Sequence, residues 1–246
     1  MEPQAAEDDV QKIAIGNVAP DFTLTCREGK EHKLSDYRGT KVMLCFFRHA
    51  YCPAVANSIG KLVGNYKKLA WASKLKVITV FRTDMEHLRD GLEDENAPIS
   101  HFISQRTLTG DGTGSGYPFI ALADPDGTAA STYKVGSKST FLFLLDIPTY
   151  SKEVLSTAFW KKGVLKKNTE EEANTPGAAN LLPSEFLIDE NGVVVDILRA
   201  KKASDTMALD RITNFLIASE KEKRYINNGG ASGVKVSGLG KITEAA

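Results

Sequence analysis

Residues 41–71 read KVMLCFFRHAYCPAVANSIGKLVGNYKKLAW. The run from Lys41 to Arg48 is almost entirely apolar, which predicts a strand buried on both faces, and it breaks at the polar pair Arg48-His49. Beyond the break, apolar residues recur at the spacing of one helical face: Val55, Ile59, Leu62, Val63, Tyr66 and Leu69. Cys52 therefore lies at a strand-to-helix junction, with Pro53 as the first helical residue.

A cysteine at such a junction faces unpaired amide N–H groups and the positive end of a helix dipole, and both favour the thiolate over the thiol. A cationic Arg48 or His49 within about 6 Å would favour it further. His49 could also deliver a proton to a leaving oxygen. Two plainer interpretations stay open: Cys52 as a small buried residue at a helix start, and Arg48 paired with a carboxylate at the sheet edge.

The composition excludes several classes of function. Lys+Arg and Asp+Glu both number 31 in 246 residues, so no net charge attracts the chain to nucleic acid or anionic membranes. The acidic N-terminus does not resemble a targeting signal, and no apolar stretch reaches the roughly eighteen residues of a membrane span. Three cysteines are too few for a disulfide framework. We therefore expect a cytoplasmic protein without a membrane span or a nucleic-acid partner.

The remaining pattern predicts a parallel sheet covered by helices. A β-hairpin turns at 27–30, a second β-rich run covers 76–81, and Asp84 caps a helix that carries Met85, Leu88 and Leu92. Residues 96–118 are predicted to be irregular. The glycines near the end of this segment do not have the spacing of a phosphate-binding loop. A short strand over 119–123 and a short helix over 128–135 follow.

The C-terminal half contains an insertion and a second hairpin. The insertion, 137–180, includes a helical segment with Trp160, which either docks on the sheet or forms a wall of a substrate pocket. A hairpin turns at 189–192, and Ser204-Asp205 is predicted to begin a final helix. We expect a disordered segment at 1–12, a single domain over 13–219 and a flexible tail over 220–246.

Three motifs together resemble the AhpC/TSA superfamily, the peroxiredoxins and their relatives: KVMLCFFRHAYCP, the DPDG turn at 124–127 followed by TAASTYKV, and LLPSEFLIDENGVVVDIL. Within it the chain is similar to the peroxiredoxin-like branch related to prostamide/prostaglandin F synthase. The resemblance implies an α/β, thioredoxin-like fold with a central mixed sheet flanked by helices, an N-terminal β-hairpin and a helical insertion before the last hairpin. It also implies that Cys52 is the nucleophile.

The chain departs from the family pattern at several positions. The motif Cys52-Pro53-Ala54-Val55 lacks the second cysteine of a dithiol site. By the resemblance to peroxiredoxins, a proline is expected at the position of Cys45 and a threonine or serine at the position of His49. Pro183 lies near the position where the family's arginine is expected. By the same resemblance Pro183 is a cis proline beside the reactive cysteine. As a bare sequence feature it equally fits a trans proline entering a strand.

The other cysteines and the histidines predict little chemistry. Cys45, inside the buried strand, is expected to pack. Cys26 could resolve an oxidised Cys52 only if the two Cα atoms lie within about 7 Å, so an external thiol such as glutathione or thioredoxin is the expected reductant. The scattered His32, His87 and His101 lack metal-ligand spacing, and we predict no metal and no bound cofactor.

Two functions follow from this pattern. The first is a single-cysteine thiol oxidoreductase of the peroxidase type, with Cys52, His49 and Arg48 catalytic and a hydroperoxide with an apolar tail as substrate. Pro183, Phe47, Tyr51 and Trp160 are the predicted substrate-binding residues. The second is a redox-inactive binding or accessory protein, and a non-peroxidase enzyme that uses the same cleft also stays open. The resemblance is compatible with a homodimer.

Overall fold

The computed structural model describes residues 13–72, 75–95, 97–104, 117–137 and 181–217. The predicted segments at 1–12, 138–180 and 220–246 lie outside these ranges, and Trp160 with them. Ser137 alone of the insertion is described, and it forms an isolated β-bridge with Leu181.

Seven strands of the described residues form one mixed sheet in the order β2-β1-β5-β4-β3-β6-β7. The strands are β1 Thr23–Cys26, β2 Glu31–Lys33, β3 Lys41–Phe47, β4 Leu75–Phe81, β5 Ile120–Ala123, β6 Ser184–Ile188 and β7 Val194–Arg199. The central strands β3, β4 and β5 are parallel, whereas the hairpins β1–β2 and β6–β7 pair antiparallel. The predicted α/β fold with a central mixed sheet and an N-terminal β-hairpin is confirmed.

Helices cover this sheet: α1 Pro53–Ala72, α2 Met85–Glu93, α3 Pro98–Ser104, α4 Thr128–Thr132 and α5 209–217, with a 3-10 turn at Leu34–Tyr37. The side chain of Asp84 accepts a hydrogen bond from His87 N and caps α2, as predicted. No helix in the described ranges is both long and apolar enough to cross a bilayer.

Two of the predicted elements have different bounds in the structure. Residues 96–118 are not wholly irregular, because α3 begins at Pro98 and buries Ile99 and Ile103, one helical turn apart. The final helix begins at 209 rather than at Ser204-Asp205. The Asp205 carboxylate accepts hydrogen bonds from the N–H groups of Lys201 and Lys202, so it caps the preceding turn instead of a helix.

Strand β3 separates two apolar clusters, because every one of its residues is buried. Met43, Cys45 and Phe47 point to one side and pack with α1, which defines the α1 face of the sheet. Val42, Leu44 and Phe46 point to the other side, where they pack with Ala129 of α4 and with Tyr133, and this defines the α4 face. The alternation of side chains along a strand thus lets β3 contribute to both cores.

A buried carboxylate joins the sheet to the C-terminal segment. Glu185 of β6 has no exposed surface, and it accepts hydrogen bonds from the Thr206 hydroxyl at 2.9 Å and from Met207 N at 2.7 Å. These two bonds hold residues 206–207 against the α1 face just before α5 begins. Burial raises the pKa of Glu185, while the two hydrogen bonds oppose that change.

This burial predicts a pH-dependent stability. The folded protein binds a proton at Glu185 more tightly than the unfolded chain, in which the carboxyl has its ordinary pKa of 4.5. The contribution of Glu185 to stability is therefore largest below pH 4.5, and it is lost as the pH rises through the pKa of the folded state. The stability of wild type relative to Glu185→Gln should therefore fall from about pH 4 to about pH 7, measured by urea unfolding. Glu31→Gln, at an exposed position of β2, is the control and should show no such trend.

Candidate functional site

The turn at residues 48–52 joins β3 to α1 at the carboxyl end of the parallel strands. Cys52 N donates to His49 O at 3.2 Å, and Cys52 O accepts from Ala56 N at 3.0 Å, which places Cys52 at the N-cap position of α1. Arg82 N, just past the end of β4, donates to the carbonyl oxygens of both Phe47 and Arg48. The neighbouring strand therefore fixes the turn that carries the cysteine.

Arg48 reaches forward to the cysteine of the same turn. Its Nη1 lies 3.6 Å from Cys52 Sγ in hydrogen-bonding geometry, and the two residues are each only 2% exposed. A guanidinium at this distance, out of contact with water, stabilises a negative charge on sulfur more strongly than it would at the surface. The structure thus gives the sulfur a cationic partner within its own turn.

The sulfur is not open to solvent in this conformation. Cys52 belongs to the apolar cluster on the α1 face, and His49 beside it is 1% exposed. A substrate can therefore reach Cys52 only when the turn, or what covers it, moves. Arg48, His49 and Cys52 share one turn, and their catalytic roles stay predictions.

The predicted substrate-binding residues lie mostly in the core. Phe47 has no exposed surface and packs against Phe81 with ring centroids 6.0 Å apart. Tyr51 is 4% exposed, and its hydroxyl donates to Asp94 Oδ2 at 3.3 Å. Pro183 is buried directly before β6. The cis peptide bond expected at Pro183 from the resemblance was wrong, because the described backbone contains no cis bond.

The other two cysteines lie away from this chemistry. Cys26 packs on the α4 face, so the sheet stands between it and Cys52 on the α1 face. Its strand β1 is three positions from β3 in the sheet, about 14 Å at the usual strand spacing, which is too far for a disulfide without unfolding. Burial, with Glu185 opposite, raises the pKa of Cys45 and keeps its thiol protonated.

Comparison with known proteins agrees with the observed fold. The model of the AhpC/TSA family matches residues 15–197. This chain belongs to the AhpC/TSA family.

Two kinds of curated relative match this family member. Thiol-disulfide oxidoreductase ResA of Geobacillus thermodenitrificans is 54% identical over 35 residues, which cover 14% of this chain and 20% of that protein. The chain thus matches a fifth of the length of its ResA relative. The putative peroxiredoxin bcp of Haemophilus influenzae is 26% identical over 130 residues, which cover 53% of this chain and 70% of that protein.

Solved structures show the same fold at low identity. Peroxiredoxin 6 of Arenicola marina, solved as a mutant, has a TM-score of 0.57 and 12% identity, covering 86% of this chain and 76% of that one. The 1-Cys peroxiredoxin of yeast mitochondria has a TM-score of 0.53 and 13% identity, covering 88% and 79%. At such identities these likenesses establish the architecture of this AhpC/TSA protein and not its reaction.

Sequence reasoning missed the packing of α2 on the turn at 48–52. A Cβ atom at Gly91 would lie 2.6 Å from the Cβ of Ala50 and 3.5 Å from the ring of Tyr51, so only glycine allows this approach. Asp94, at the end of α2, accepts the Tyr51 hydrogen bond. A glycine inside an amphipathic helix was the available signal, because it reduces helix stability and is retained where another element packs closely.

Gly91→Ala should therefore destabilise the protein by about 1–3 kcal/mol, because the added methyl group must push the turn away from α2. Chemical unfolding measures the change. Gly64→Ala, at an exposed position of α1, is the matched control and should stabilise by up to about 1 kcal/mol through helix propensity alone. Equal effects at the two positions would contradict the close packing of α2 on Ala50.

Arg48→Met tests the guanidinium beside the sulfur. We expect alkylation of Cys52 by iodoacetamide at neutral pH to slow by roughly tenfold, because the variant lacks the positive charge that would stabilise a thiolate. Mass spectrometry should assign the modified cysteine, and circular dichroism should verify folding. Arg48→Lys should retain part of the rate. An unchanged rate in folded Arg48→Met would mean that the guanidinium does not act on the thiol.

Proposed function

We propose that this protein is a single-cysteine, thiol-dependent peroxidase. The observation that carries the proposal is the contact between Arg48 Nη1 and Cys52 Sγ at the start of α1. The family and the names of the matched relatives, a putative peroxiredoxin and a thiol-disulfide oxidoreductase, support a thiol-dependent redox function at a coarser level. Residues Cys52, Arg48 and His49 are the proposed catalytic group.

The first half-reaction oxidises Cys52. The thiolate attacks the terminal oxygen of a hydroperoxide, the S–O bond forms as the O–O bond breaks, and the sulfur becomes a sulfenic acid. The other oxygen leaves as an alkoxide, which takes a proton from protonated His49 and departs as the alcohol. Arg48 stabilises the charge on sulfur before attack and the charge that moves onto oxygen during it.

The second half-reaction needs an external thiol. Cys26 lies on the opposite face of the sheet and Cys45 is a buried, protonated thiol. We therefore propose no resolving role for either cysteine. One external thiol condenses with the sulfenic acid, releasing water and forming a mixed disulfide, and a second thiol releases Cys52 and leaves as the external disulfide. Glutathione or thioredoxin supplies these thiols in our proposal.

The substrate is proposed to be a hydroperoxide with an apolar tail. The sequence basis is the aromatic and aliphatic content of the 137–180 insertion, to which Trp160 belongs. In the described residues, Phe47 directly precedes the turn and Tyr51 lies within it, while Pro183 directly precedes Ser184, the cross-strand partner of Phe46. Cytoplasmic location, a homodimer and a relationship to prostamide/prostaglandin F synthase stay predictions that accompany this proposal.

A second function is favoured by one observation. Cys52 is 2% exposed, which is also the expected state of a structural cysteine in a redox-inactive binding protein of the same fold. The two proposals differ in one measurable property, the reactivity of Cys52 toward peroxide.

Peroxide treatment followed by dimedone trapping separates them. Wild type should yield a dimedone adduct on Cys52 and should consume an alkyl hydroperoxide when glutathione or thioredoxin is present, whereas Cys52→Ser should lose both activities. Cys26→Ser is the matched control and should retain turnover, because that thiol lies on the opposite face. If wild type forms no adduct and Cys52→Ser behaves like wild type in every assay, the binding protein is the correct function.

A further inference from the structure

Strands β6 and β7 bring together two buried polar groups that form no hydrogen bond within the described part of the chain. These are the hydroxyl oxygen of Ser184, a residue with no exposed surface, and the Nη2 nitrogen of Arg199. Ser184 is the cross-strand partner of both Phe46 and Arg199, and directly opposed residues share a face of the sheet. Both groups therefore lie on the α4 face, across the sheet from Cys52.

The register of the hairpin places the two side chains next to each other. Ala200 N donates to Pro183 O at 3.0 Å, so Pro183 and Ala200 form the hydrogen-bonded position of the ladder. The next pair, Ser184 and Arg199, is then a non-hydrogen-bonded pair, in which the Cα atoms are about 4.5 Å apart and the side chains are closest.

The guanidinium of Arg199 is held in a fixed orientation. Its Nη1 donates to Tyr133 O at 3.1 Å and to Lys134 O at 2.7 Å, and its Cζ lies 5.4 Å from the centroid of the Phe186 ring. Among the described residues, the two N–H groups of Nη2 have no acceptor and Arg199 forms no ion pair with a carboxylate. Burial lowers the pKa of Arg199.

We propose that Arg199 Nη2 and Ser184 Oγ form a binding site for a small oxyanion, either a carboxylate or a phosphate group. A buried charged donor without an acceptor is costly, and an oxyanion is the ligand that accepts from a guanidinium and a hydroxyl together. The two carbonyls on Nη1 orient the guanidinium and direct the binding to Nη2.

Titration calorimetry with inorganic phosphate and, separately, with acetate tests this site. Wild type should bind at least one of the two at millimolar concentration, with sodium chloride of equal ionic strength as the blank. Ser184→Ala should weaken binding by roughly tenfold, since it removes one hydrogen bond to a charged group. Arg199→Gln should abolish it. Tighter binding of phosphate identifies a phosphate-bearing ligand, and tighter binding of acetate identifies a carboxylate.

Three controls make the result decisive. Ser58→Ala removes another buried hydroxyl, which donates to Ala54 O within α1, and should leave anion binding unchanged. Without anion, Ser184→Ala should be as stable as wild type, because its hydroxyl has no protein partner to lose. Cys52→Ser should bind the anion normally, which separates this site from the peroxidase proposal. Absence of binding in wild type, or equal binding by Ser184→Ala, overturns the site.

Discussion

The structure depends on the complete burial of strand β3. Each residue from Lys41 to Phe47 pairs in register with β4, and β6 closes its other side, so the strand has no free edge and no solvent face. A strand with apolar residues on both faces can exist only where two cores meet, and this requirement fixes its central position. The end of such a strand cannot drift. The turn at 48–52 begins where this strand ends, so the position of Cys52 depends on the strand.

Ionisable side chains are buried near this strand, and their burial lowers the stability of the folded protein. Arg48 is among the largest side chains that are fully enclosed, and Glu185 lies on the neighbouring strand with no exposed surface. Each has nearby polar groups: Arg48 has the Cys52 sulfur, and Glu185 has the Thr206 hydroxyl and an amide N–H. Buried polar groups of this kind reduce stability unless they are bonded, and these contacts limit that loss of stability.

The sequence predicts the central elements of this fold because they carry strong local signals. The apolar run of β3, the periodicity of α1 and the cap at Asp84 each specify one structure. Features that depend on the geometry of a turn or on the register of a hairpin escaped prediction. The final helix starts at 209 because Asp205 bonds to the preceding turn. The Arg48–Cys52 contact needs the geometry of the turn, and the Ser184–Arg199 pair needs the register of a hairpin, neither of which a spacing in sequence reveals.

An enclosed thiol is compatible with the reactivity that we propose for Cys52, because enclosure strengthens the attraction between Arg48 and a thiolate. The attraction between a guanidinium and a thiolate grows as water is excluded, whereas a thiolate at the surface would be stabilised mainly by solvent. What enclosure removes is access. If Cys52 reacts as we propose, access has to come from motion of the turn against α2, where Gly91 meets Ala50 and Tyr51 bonds to Asp94.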